Sequence, residues 1–223
     1  IAALPGAMKD YARAAEIAGI LVDETLWPGQ PLGRNIGGTP ESVKALPLSA
    51  VCDYFRAQYV PENLVLAVAG NVSHSDAVAA AERWLGGMVA AVPGAWYPHE
   101  ARENGSRVAV HEKDTEQAHV CLAYPTVPLT HPDRYAVDLL STVLGEGMSS
   151  RLFMELREER ALVYDVHTYP SEFRDAGSLT VYAGCDPENA RTTVELTLAE
   201  VEKLLKDLPT RELEKGKSMA RGR

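Results

Sequence analysis

Long hydrophobic runs are missing from this sequence of 223 residues. Apolar stretches such as 64–69 and 161–163 fall far short of the ~20 residues a spanning helix needs, so no membrane span is expected. No basic segment precedes an apolar one at the start, and the first residue is Ile1 rather than Met, so no signal peptide is legible. Cysteine is scarce. Cys52, Cys121 and Cys185 are far apart and form no C-x-x-C pair, which argues against a disulfide framework or a thiolate zinc site and leaves three small buried residues. Unpaired cysteines without a secretory signal point toward the cytoplasm. Positive charge is in deficit, with 22 Lys and Arg against 31 Asp and Glu and a formal net charge of -9. Phosphate backbones and anionic lipid need clustered positive charge, so nucleic acid is not expected as a partner.

Several catalytic signatures are absent too. The histidines are His74, His99, His111, His119, His131 and His167, and no two have H-E-x-x-H or H-x-x-E-H spacing, which would set two ligands one helical turn apart. His111 and His119 fall near strand positions and read as structural. There is no G-x-S-x-G elbow, phosphate loop or dinucleotide fingerprint. Gly145 and Gly147 lack a third glycine, follow a helical pattern, and serve to end one helix and begin the next.

What is present is a globular composition, 46% hydrophobic and 24% charged, of a length for one or two domains. A helical pattern over 8–27 ends at Pro28 and Gly29, and 31–38 is too rich in breakers for regular structure. Residues 49–59 read as a helix closed by Pro61, and 64–69 as a strand covered on at least one face. Ser73 and Asp76 resemble a capping box for a helix with Ala77, Ala80, Ala81 and Trp84 on its apolar stripe. From Gly86 to Gly105 periodicity is lost, and a domain boundary is placed near Asn104.

Beyond it, 107–112 and 119–124 read as strands, and Thr130 with Asp133 caps a helix bearing Ala136, Leu139, Leu140 and Val143. That helix ends at Gly145 or Gly147, and Ser149 or Ser150 caps the next. Strands follow around 163–169 and 178–183. Asp186 and Pro187 then open a helix with Val194, Leu198, Val201, Leu205 and Leu208 on one face. The run 211–223 is again helix-like, with no stop signal, and the sequence reads as a fragment of something longer. Residues 64–73 and 179–187 share the order strand, Ala-Gly, polar cap, helix, which suggests an internal duplication. The expected fold class is α+β, with two similar sandwich domains of mostly antiparallel sheet flanked by helices, the first incomplete.

Two residues remain as chemical candidates, Arg157 and Tyr164. An arginine offers five donors in a fixed fork for carbonyl or carboxylate oxygen, and a tyrosine hydroxyl can donate to charge developing at a tetrahedral centre. Local chemistry alone favours a solvated charge cluster of Arg157 with Glu158, Glu159 and Arg160, and a Tyr164 ring packed in a strand.

The run from Gly145 to Val166, GEGMSSRLFMELREERALVYDV, resembles the "SRLF…LRE…Y" segment of the pitrilysin, insulinase and mitochondrial processing peptidase family of inverted-motif zinc peptidases. Three other segments agree in order. Residues 27–38 resemble the family's "hPLG…I.G" loop, 59–70 its "Y.P.N" strand, and 113–117 its "K.teQ" strand entry. The resemblance runs from about Ala15 to Lys217. It implies two homologous α+β domains: 1–88 as the C-terminal part of the first, 89–104 as linker, and 105–223 as a truncated, substrate-binding second. The family's zinc ligands belong upstream of Ile1, apart from a distal glutamate whose place falls near Gly6, where no glutamate stands. Zinc is therefore implied for the parent protein or its partner half and not for this chain. Arg157 and Tyr164 match the family's substrate-gripping arginine and oxyanion-stabilising tyrosine, which act in trans on an unfolded peptide held between two halves, in a homodimer or heterodimer. The implied function is the substrate-binding portion of a zinc metalloendopeptidase. The alternative is a non-catalytic partner or structural core subunit of the same fold.

Overall fold

A computed structural model describes residues 4–100, 107–113 and 115–222, with side chains from residue 14 onward. The described residues group into two compact units, one of 36–97 and one in which residues up to 35 join those from 98 onward. The expected boundary near Asn104 lies outside the described residues, as does part of the segment 113–117.

In the larger unit, helix α1 (Leu4–Leu26) begins four residues before the expected start. It stops where Pro28 cannot continue it and Gly29 turns to φ +70°. The chain is packed as it enters the breaker-rich loop, while 34–38 are exposed. Trp27 is 3% exposed and meets Phe173 edge to face at 5.3 Å. The buried Gln30 donates from Nε2 to the Glu100 carbonyl at 3.1 Å, and its Oε1 accepts from the Glu100 amide at 2.9 Å. Gly33 is required by close approach, since a Cβ there would lie 2.2 Å from the Trp27 carbonyl oxygen.

The smaller unit carries α2 (Pro40–Ala45), α3 (Leu48–Gln58) and α4 (His74–Leu85). Ser73 caps α4 by accepting from the Asp76 amide at 3.1 Å, as its sequence position suggests. The apolar run 64–69, expected as a strand, pairs with nothing among the described residues, and Val65 there is 95% exposed. An apolar run has the propensity for a strand, but a strand exists only where another backbone accepts its hydrogen bonds. The same correction applies to 107–112, where Val108 and Val110 are exposed in unpaired backbone. Tyr54, Phe55, Leu66 and Trp84 likewise leave their apolar surface uncovered.

The sheet belongs to the larger unit. Its strands are β1 (Ala118–Thr126), β2 (Val163–Glu172) and β3 (Gly177–Cys185), ordered β1-β3-β2 and antiparallel throughout. The fold is α+β, helices with an antiparallel three-stranded sheet. The central β3 is buried along its whole length. Alternation puts Val166 of β2 and Val181, Ala183 and Cys185 of β3 into the core, where Leu144, Leu152, Leu156 and Leu204 meet them. Helix α5 (Arg134–Gly145) begins after Asp133 rather than at Thr130, because His131 precedes a proline and is steered away from helical backbone. Gly145 ends it against β2, where a Cβ would come within 2.8 Å of the Thr168 nitrogen, and Gly147 follows at φ +78°. Ser150 does not cap the next turn; its hydroxyl donates to the Gly147 carbonyl at 2.8 Å.

Helix α6 (Ala190–Lys206) buries Thr193, Thr197, Glu200 and Leu204, while Leu198, Leu205 and Leu208 stay exposed. The apolar pattern therefore located the buried face only in part: Val201 packs against the core and Val194 is half-buried, while the fully buried positions lie one residue to the side. Threonine can be buried here because the Thr197 hydroxyl donates to the Thr193 carbonyl at 2.7 Å, and Glu200 pairs with Lys203. Helix α7 (Thr210–Arg221) packs on α5, with Gly216 in contact with Val143. No described helix is long and apolar enough to cross a membrane.

Candidate substrate-binding site

Arg157 and Tyr164 line one open cleft of about 340 Å³ with Glu158, Ala161, Leu162, Val163 and Asp186. Three departures from regular backbone within a few residues build it. Phe153–Glu159 winds as a π-helix, which turns Arg157 away from the direction an α-helical register would give it. The guanidinium stands 5.1 Å above the Phe153 ring, and among the described residues Arg157 forms no salt bridge. Leu156, one residue earlier, is fully buried and anchors the turn.

The π-helix ends at Glu159, and the chain reverses at Ala161, which has φ +51° and is the one non-glycine residue with positive φ among those described. Its amide donates to the Arg157 carbonyl at 3.1 Å, and the Leu162 amide to the Leu156 carbonyl at 2.8 Å, so the reversal is locked by backbone bonds. Left-handed backbone costs an alanine about 1–2 kcal/mol, and a glycine there would lose about 0.5–1 kcal/mol through chain entropy. Ala161→Gly is accordingly expected to stabilise the protein by up to about 1 kcal/mol in denaturant unfolding. A clear loss of stability would contradict this account of the turn.

The third irregularity is a β-bulge. Val163 pairs with Cys185 and Asp165 with Gly184, so Tyr164 is the extra residue, out of the ladder. A bulge re-aims a side chain, and the Tyr164 ring is 52% exposed instead of packed in the strand. Its hydroxyl donates to Asp186 Oδ1 at 2.8 Å. That bond, the Asp186 charge and a smaller effect of burial raise the Tyr164 pKa above the usual phenol value, which keeps its proton in place at neutral pH. Sequence reading brought out Arg157 and Tyr164 but took Asp186 only as a helix cap. Its Asp-Pro pattern masked any other role.

On the far face of the sheet His119 Nδ1 lies 2.7 Å from the Tyr182 hydroxyl, and His167 Nδ1 lies 3.3 Å from Asp165 Oδ2. Burial lowers the His119 pKa. Burial first, and the Asp23 charge second, push the Cys121 thiol up to about 11, so it is not a thiolate at neutral pH. Among the described residues no group of three or more His, Cys, Asp or Glu is placed to hold a metal ion. The described residues therefore do not fit a zinc site.

The sequence model for the "Peptidase M16 inactive domain" matches residues 45–220. The chain belongs to the peptidase M16 family. An "uncharacterized zinc protease" of Streptomyces coelicolor is 37% identical over 188 residues, covering 82% of this chain and 41% of that protein. The Bacillus subtilis "uncharacterized zinc protease YmxG" is 32% identical over 205 residues, covering 91% of this chain and 49% of its own. The chain thus spans less than half the length of these two curated M16 relatives. In fold it is similar to the crystal structure of an M16 inactive domain from Pseudomonas fluorescens, with a TM-score of 0.87 and 24% identity over 98% of this chain and 53% of that one.

Proposed function

We propose that this chain is the substrate-binding portion of an M16 zinc metalloendopeptidase, gripping an unfolded peptide while the hydrolytic metal is carried elsewhere in the parent protein or its partner half. The observation that carries the reading is the cleft itself. It sets an arginine without a salt bridge and a protonated tyrosine side by side, on a π-helix and a β-bulge that aim both outward. Arg157 donates from its guanidinium to a substrate carbonyl oxygen. Tyr164 supplies a donor to the oxyanion that develops when water adds to the scissile carbonyl. Both groups act on backbone atoms, so the selection expected is for an unfolded chain and not for one side chain.

The division of the sequence into 1–88, 89–104 and 105–223 is part of this proposal, as is a second half, identical or different, that closes the site. Apolar side chains left uncovered in 36–97, among them Tyr54, Phe55 and Leu66, fit a first domain whose remaining layer is supplied by other sequence. Grouping by proximity, which joins residues up to 35 with those from 98, describes packing rather than duplication. Three free cysteines accord with a reducing, cytoplasmic setting.

The test uses the full-length natural protein that contains this segment. Zinc content is measured together with cleavage of an unfolded peptide, with and without chelator. One zinc per chain and chelator-sensitive cleavage are expected. Absence of both would overturn the reading in favour of a non-catalytic partner subunit.

A further inference from the structure

We infer that Asp186 is a positioning residue that holds Tyr164 in a resting orientation, so that the tyrosine hydroxyl has to leave Asp186 before it can serve a substrate oxygen. The inference rests on the proposed reading of the cleft. It begins with a local rule that the structure breaks. Asp186 followed by Pro187 is a helix-start pattern, in which the carboxylate is expected to accept from an amide of the first turn. No such cap bond is made. The first turn closes through backbone alone, the Asn189 amide donating to the Asp186 carbonyl at 2.9 Å. The carboxylate is turned instead to Tyr164, at 2.8 Å.

Topology makes the pairing possible. Asp186 directly follows Cys185, the partner of Val163 across the ladder, and Tyr164 is the residue the bulge displaces beside that pair. Both side chains therefore leave the same end of the sheet and enter the same cleft. A half-exposed phenol on a bulge has little packing to fix its ring, and Asp186 supplies the restraint. A hydroxyl has one proton, however, and an ionised carboxylate can only accept. While the proton points at Asp186 it is not available to an oxyanion beside Arg157. The developing oxyanion has to compete for it, and its stabilisation falls by the fraction of molecules held in the resting state.

The experiment compares wild type, Asp186→Ala, Asp186→Asn, Tyr164→Phe and the Asp186→Ala/Tyr164→Phe double variant of the full-length protein in cleavage of an unfolded peptide. Asp186→Ala is expected to raise kcat/KM by roughly 3- to 10-fold, as removal of a dominant competing state does. Asp186→Asn, whose carbonyl still accepts but without charge, should fall between it and wild type. The gain should vanish in the Tyr164→Phe background, because the effect runs through that hydroxyl. A fall in kcat/KM, no change, or a gain that survives in the double variant would each overturn the inference. The Tyr164 titration, followed by NMR of ring-labelled tyrosine, is read independently of turnover. It should shift down toward an ordinary phenol in both Asp186 variants, and an unmoved titration would also overturn the inference. If the wild-type protein cleaves nothing, the proposed function fails while this titration still decides whether Asp186 holds Tyr164. Asn preserves shape and polarity, so a folding defect confined to the alanine variant leaves the second substitution to decide.

Discussion

Replacing Tyr164 by phenylalanine in the full-length protein is expected to lower the turnover of an unfolded peptide by about 100- to 1,000-fold, the usual loss for one oxyanion donor. The change removes a single oxygen from a side chain that is 52% exposed and outside the core, so the fold has little reason to respond. The loss should therefore appear in kcat, with KM nearly unchanged and the melting temperature close to that of wild type. Arg157→Ala should act differently. An arginine that grips a carbonyl oxygen in both ground and transition states raises KM when it is removed. Arg157→Lys should not rescue, because a lysine is a shorter, strongly hydrated point charge without the planar, pre-oriented donors of the guanidinium. Equal turnover in the wild type and the Tyr164→Phe variant would remove the tyrosine from the mechanism.

The second large effect concerns stability. Leu156 is fully buried in the cluster with Leu152, Val181 and Cys185, and truncation of such a leucine costs about 2–5 kcal/mol through lost transfer energy and the cavity left behind. In Leu156→Ala the β3 amides, buried along the strand, should lose hydrogen-exchange protection to match, while the amides of 36–97 should be little affected. Because Leu156 precedes Arg157 on the π-helix, the same substitution should also loosen Arg157 and raise KM. A loss below about 1 kcal/mol would mean that the core tolerates the cavity and that Leu156 does not anchor the turn.

Much of this was legible in the sequence, and the reasons differ by element. The strands 118–126 and 177–185 follow from short runs of strand-forming residues, and the helix after Asp133 from apolar residues recurring at helical spacing. The buried face of α6 was legible only in part. Val201 of the apolar pattern packs against the core, but Thr193 and Thr197 read as polar, and burial of Thr197 is made acceptable by the bond from its hydroxyl back to the Thr193 carbonyl. The runs 64–69 and 107–112 failed for another reason, since a strand is a property of two segments and neither run pairs with another among the described residues. In the cleft, spacing and resemblance brought out Arg157 and Tyr164, but no periodicity announces a π-helix, a left-handed alanine or a bulge. Those are the features that turn both side chains outward, and Asp186 came to light only when the bulge placed it beside Tyr164.

The bulge and the π-helix share a property that bears on how this region can change. Each holds more residues than the regular element it interrupts: a bulge sets two residues against one, and a π-turn closes over five residues where an α-turn closes over four. The cleft is thus an accommodated surplus of chain between the buried Leu152 and the paired Val166. Shortening the segment by deletion would let helix and ladder close up into more regular structure, with a sound core and no outward arginine or tyrosine. A deletion within this segment is therefore expected to keep the scaffold without the cleft, as surely as substitution of either residue would empty it.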